Sequence, residues 1–150
     1  MSRAKEILDK VIYITIATSD NNGQPWNTPV FAAYDKELNF YWGSSKSSQH
    51  SKNIEHNPNV FLVIYDSSVP AGTGEGVYVL GQARQVTDKK EIKAAHKLLQ
   101  NRRPEPYWEL EHFHETSPIA LYKAVPEKVW MNDGRKTGGI YEDILKEIEP

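Results

Sequence analysis

Residues 11–18, VIYITIAT, form an almost unbroken β-branched run and read as a strand buried on both faces. The ten residues before it are charged, with Ile7, Leu8 and Val11 on one side. That spacing predicts a short opening helix with Ser2 as its N-cap. DNNGQP then turns at Asn22-Gly23, and residues 27–34 form a second strand. Pro29 inside that strand predicts a sheet edge, or a place where the ladder needs no amide. Alternation of Leu38, Phe40 and Trp42 marks a third strand over 38–43. A serine-rich run follows and becomes a helix anchored by Ile54 and stopped at Asn57-Pro58. NVFLVIYD reads as a further doubly buried strand. Residues 67–76, rich in Gly, Ser and Pro, read as a loop, either a lid or disordered.

Residues 77–86 form a long strand in which Gly81 predicts a bend or bulge. Asp88 caps the best helix of the chain, with Ile92, Ala95 and Leu99 on one face. A Pro-bounded connection leads to two short strands around Pro126. The stripe of Ile140, Ile144 and Ile148 predicts a C-terminal helix over about 139–149. Six or seven strands joined mostly by hairpin turns point to one mainly β domain over 1–150: an antiparallel barrel with added helices.

Composition narrows the function classes. Of 150 residues, 39% are hydrophobic and 25% charged, a normal globular balance. A net charge of -2 gives no overall basic footprint for nucleic acid. No apolar run approaches the roughly 20 residues that span a bilayer, and the charged N-terminus is unlike a secretory signal. The expectations are a cytoplasmic protein with neither nucleic-acid nor membrane partners. With no cysteine, thiolate catalysis and disulfides are excluded.

The candidate chemistry lies in YWGSSKSSQHSKNIEHNP, residues 41–58. A helix start offers unpaired N–H groups and a positive dipole end, and serines add small donors. His50, Lys46 and Lys52 can add charge. Simple N-capping and a soluble loop explain the same serines. Upstream, Pro29 suggests that neighbouring amides, those of Thr28 and Val30, point away from the ladder. A flat heteroaromatic ring with a phosphate tail suits both features. HFHE at 112–115 lacks a clear third metal ligand, so no metal is expected. His96 reads as a packed or surface residue, and Trp26, Tyr107 and Trp108 as core or dimer contacts. No nucleophile elbow, P-loop or dinucleotide fingerprint occurs.

In order and spacing, GQPWNTPVFAAYD, NFYWGSS, SQHSKNIEHNPNVFLVIYD and VYVLGQARQV resemble the pyridoxamine 5′-phosphate oxidase-like, flavin-binding split-barrel family, over roughly residues 7–130. The resemblance implies an antiparallel, Greek-key split β-barrel that binds flavin mononucleotide (FMN). Asn27, Thr28, Pro29, Val30 and Phe31 would line the flavin ring. Trp42, Gly43, Ser44 and Ser45 would run beside its tail, with Ser44 and Ser45 near the phosphate and Ser48, His50 and Lys52 around it. His50 stands where the family has a lysine. The flavin would sit at the subunit interface of a homodimer, within reach of the partner's copy of Trp130. The oxidases themselves carry an arginine at the position of Thr28 and a lysine at that of Ala33. Both are uncharged here, and the arginine-rich closing motif is missing, so pyridoxamine 5′-phosphate oxidation is not expected. What remains is an FMN-dependent oxidoreductase of an unidentified small molecule, with no catalytic side chain named. The alternatives are a flavin sensor or storage protein, a reductase using deazaflavin F420, or a cofactor-free OB-like interaction domain.

Overall fold

The computed structural model describes residues 2–103 and 108–149. Six antiparallel strands form a closed barrel: β1 (Tyr13–Ser19), β2 (Pro25–Tyr34), β3 (Phe40–Ser45), β4 (Asn59–Tyr65), β5 (Gly76–Gln85) and β6 (Ile119–Asn132). They are ordered β3-β2-β1-β4-β5-β6, and β6 returns to pair with β3. β4 lies beside β1, so the β3–β4 connection crosses over and carries α2 (Gln49–His56) with it. α1 (Arg3–Lys10) packs on β4 and β5, and α3 (Lys89–Arg102) packs on β2, β3 and β6. Ser2 caps α1 and Asp88 caps α3 through their side-chain oxygens, as the sequence predicts.

Alternate residues of each strand fill the barrel. Ile16, Leu62, Ile64, Val77, Val79 and Trp42 are sealed from solvent, with Trp42 stacked on Tyr122 at 5.9 Å between centroids. Each such aliphatic side chain stabilises the fold by roughly 1.5–3 kcal/mol on burial. A second cluster of Tyr41, Val86, Ala95 and Leu121 lies under α3.

Several expectations need correction. β1 and β4 are buried on one face only; Thr15, Ala17, Phe61 and Val63 on the other are half-exposed. Strand periodicity is masked when both faces carry β-branched or aromatic residues. The two strands expected around Pro126 are one, β6, because the β5–β6 register shifts at Leu80/Gly81 and Pro126 falls opposite Gly81. The C-terminal helix expected over 139–149 is absent. That segment holds β8 (Ile140–Glu142), hairpinned to β7 (Arg135–Thr137) through Gly138 and Gly139 at φ 58° and 83°, and β9 (Leu145–Ile148). β9 pairs with the edge of β6, and Ile148 packs on the core. The open edge of β6 decides the matter: its backbone groups gain partners that a helix could not supply.

Residues 67–76 are tied down. Lys10 pairs with Asp66 and Arg3 with Glu75, while Gly76 N donates to Asn132 Oδ1 at 2.6 Å. At the other end of α1, the Arg102 guanidinium donates to the carbonyls of Leu8 and Val11 and lies over the Tyr34 ring. Those carbonyls end α1 and have no partner within the helix. Arg102→Met is expected to lower stability by about 1–2 kcal/mol through their loss. Urea unfolding would check this, and an unchanged midpoint would show that the contact contributes nothing.

Candidate cofactor site at the split between β2 and β3

β2 pairs with β1 along its first seven residues but with β3 only at Ala32–Trp42, Ala33–Tyr41 and Tyr34–Phe40. Beyond Ala32 and Trp42 the two strands separate. In an antiparallel pair, the amides of successive residues point alternately to one side and the other. Ala32 N donates to Ile12 O, which fixes that alternation for β2. The amides of Val30 and Thr28 therefore enter the ladder with β1, correcting the expectation that Pro29 frees them. Those of Phe31 and Asn27, with the donorless nitrogen of Pro29 between them, face the open edge. No described strand pairs with that edge. Pro29 thus sits where its missing N–H costs no ladder bond.

The opposite lip is β3. Lys46 N donates to Pro118 O, so the amides of Ser44 and Trp42 turn to β6; that of Gly43 turns to Phe31 O, closing the last bridge to β2, and that of Ser45 turns towards the split. The Trp108 ring lies against Gly43, where a Cβ would come within 2.7 Å of it. Trp108 is held in turn by His96 Nε2, 3.0 Å from its carbonyl, and by edge contact with Phe113. This settles His96 as a packed residue. Nothing in the sequence spacing points to Trp108 as the cover of Gly43. Tyr107 lies outside the described residues, and Trp26 is exposed on β2.

Past β3 the serines divide. Ser45 and Ser47 pair at the surface, Oγ to Oγ 2.8 Å. Ser48 is the N-cap of α2, yet its hydroxyl makes no cap bond; it lies 2.8 Å from Ser45 O and from Ser51 Oγ. Ser44 points inward and meets His50 Nε2 at 2.7 Å, with Ser48 Oγ 3.2 Å from the same nitrogen. His50 is only 7% exposed. Lys52 is exposed, whereas Lys46 Nζ donates to the Glu115 carbonyl at 2.8 Å. Among the described residues no group of three or more His, Asp or Glu is placed to hold a metal ion, HFHE included.

A model of the family described as pyridoxamine 5′-phosphate oxidase matches residues 2–133. The chain belongs to the pyridoxamine 5′-phosphate oxidase family. No curated protein matches the sequence. Among solved structures, HutZ, the heme storage protein of Vibrio cholerae, is 18% identical with a TM-score of 0.70, over 83% of this chain and 89% of that one. An F420 reductase is 19% identical with a TM-score of 0.64, over 86% and 97%. A heme binding protein of Mycobacterium smegmatis is 17% identical with a TM-score of 0.68, over 96% of this chain and 58% of that one. These likenesses establish the split-barrel fold. Within that family fold, the split, the serine run and the N-terminus of α2 adjoin one another in this chain.

Trp130 is not part of that cluster. It lies on the outer face of β6, stacked on Phe61 at 6.3 Å. Nine residues of strand separate it from Leu121, which pairs with Gly43, or up to about 30 Å.

Burial holds the His50 imidazole below its ordinary value of 6.5. The folded state keeps it neutral, whereas the unfolded chain protonates it near pH 6.5. Its contribution to stability is therefore complete above that pH and is lost as pH falls through the window between 6.5 and the depressed folded value. His50→Gln is expected to flatten the fall in stability just below pH 6.5. Denaturation midpoints measured at intervals between neutral and mildly acidic pH would check it, and an identical slope in the variant would remove His50 as the cause.

Proposed function

We propose that this chain is an FMN-dependent oxidoreductase, working in the cytoplasm as a homodimer on a small molecule other than pyridoxamine 5′-phosphate. The observation that carries this reading is the pair of unpaired strand edges at the split. Amides of Asn27 and Phe31 line one lip and that of Ser45 the other, leading to the serine-lined start of α2. Orphan backbone donors beside the half-exposed Phe31 ring fit the heteroatoms of a flat ring. The exposed hydroxyls of Ser45 and Ser47, with Lys52, fit a phosphate at its tail. Thr28 and Pro29 shape the lip. Ser44 and Ser48 are held by His50, whose part here is to fix the cradle from beneath. When bound, the flavin supplies the electron transfer, and the chain binds, orients and shields it.

The dimer reading rests on the outer sheet face. Phe61, Tyr78 and Trp130 stack there, continuing through Val63 and Thr15 to Tyr13 and Phe31. A half-exposed apolar face of this extent fits a second copy, which would also bring a Trp130 towards the split. Substrate choice follows from Ala33. It is buried and uncharged, so nothing at that position meets a substrate phosphate.

Purified protein incubated with FMN and desalted is expected to stay yellow, to elute as a dimer, and to be reduced by NADH or NADPH. It is expected not to turn over pyridoxamine 5′-phosphate. A colourless protein after FMN incubation refutes the reading. Retention of deazaflavin in place of FMN moves it to the F420 class, and retention of FMN without reduction leaves a storage or sensing role.

A further inference from the structure

A groove of about 680 Å³ lies between the first turns of α3, the start of β6 and the segment that follows the 3₁₀ turn Leu110–His112. Its walls are apolar: Val86 and Leu121 at the base, Ile92 on one side, Leu110 and Phe113 on the other. Phe113 is fixed by its contacts with His96 and Trp108, so this wall is built into the fold. The volume suits a small molecule.

The charges at the rim choose its kind. Elsewhere on the chain, Arg3, Lys5, Lys10, Arg84 and Lys123 each sit against a carboxylate. Lys89 and Lys93, one turn apart on α3 and both exposed, line the groove without an ion pair among the described residues. Glu91, between them in sequence, is taken by Arg84 and Lys123. Among the described lining residues Glu115 is the sole acid, and His114 Nδ1 lies 3.2 Å from Thr116 Oγ1. Two lysines against one glutamate leave the lining cationic beside an apolar trough.

We propose that this groove binds a small amphipathic anion, an apolar body ending in one carboxylate, with the body on Ile92, Leu110 and Phe113 and the head at Lys89 and Lys93. The site is separate from the split between β2 and β3 and does not rest on the flavin reading. A lipid-like chain is favoured over a polar metabolite because apolar atoms make up most of the lining surface, with Gln85 and Thr87 the polar exceptions beside the charged rim and His114.

Calorimetric titration with octanoate, and with octylammonium as the cation of equal body, tests it. The wild-type protein is expected to bind octanoate saturably and about tenfold more tightly than octylammonium, the scale of two exposed charge contacts. In K89E/K93E that preference should reverse, and Leu110→Ser should weaken both ligands while leaving FMN retention unchanged. All three positions are exposed, and matching thermal melts would show that the variants fold. Absence of saturable octanoate binding overturns the proposal. So does equal affinity for the two probes, which would make the groove a plain apolar patch, or an unaltered preference in K89E/K93E.

Discussion

Replacing Gly81 with alanine is expected to lower the unfolding free energy by about 2–4 kcal/mol, seen as a lower urea midpoint at unchanged slope. At this position β5 and β6 slip register, and the two backbones come together more closely than a side chain allows. An added Cβ would overlap the carbonyl oxygen of Val125 and lie 3.1 Å from its carbon and 3.2 Å from Pro126 Cα. All three are backbone atoms, so no rotamer change relieves the clash; β6 itself must move. β6 also carries β3 and β9, so a shift there disturbs three seams. Gly72→Ala is the proper contrast. Gly72 has φ 79° with open space around it, and its cost should stay near about 1 kcal/mol, the strain of a left-handed residue alone. Equal losses at the two glycines would mean that β6 yields freely and that the bulge is not a constraint.

Gly81 was legible because a glycine within an apolar strand run has few other uses. The β-branched runs over β1 and β4 announced strands for the same local reason. What the sequence could not announce was how many faces those strands bury, since that depends on what lies against them. The C-terminal segment shows the same boundary between local and non-local information. Ile140, Ile144 and Ile148 repeat at helical spacing, but the segment is short and glycines precede it. The unpaired edge of β6, distant in sequence, recruits it as strand β9.

The residues expected around the split do adjoin one another, Trp130 apart, but the orientation of several was misread. Pro29 rightly signalled an edge. Which amides it leaves free depends on the register of β2 against β1, and that register moves the free donors from Thr28 and Val30 to Asn27 and Phe31. His50 stands between two lysines in a polar run and reads from sequence as a charge offered to the phosphate. The start of α2 turns it inward instead, and Ser44, two positions along β3 from Trp42, meets it there. Helix phase settled this: His50, Asn53 and Ile54 share the buried face of α2, while Lys52 falls on the outer one.

That phase carries a quantitative consequence for the proposed phosphate cradle. Ser45→Ala with Ser47→Ala is expected to weaken FMN binding by about 100-fold, since each hydroxyl lost to a charged group costs about 1.5 kcal/mol or more. Riboflavin has the ring and the ribityl chain but no phosphate, so its affinity should change little. The ratio of the two affinities is therefore the informative quantity, because a collapse of the fold would lower both together. Ser45 is half-exposed and Ser47 exposed, and their mutual contact is at the surface, so their loss leaves the barrel interior untouched. Ser44→Ala should behave differently. Its hydroxyl faces His50 inside the barrel, and removing it strips a buried imidazole nitrogen of one partner, lowering stability before it alters ligand preference. If the Ser45/Ser47 double variant instead retains the wild-type preference for FMN over riboflavin, the phosphate lies elsewhere and the serine run serves only to start α2.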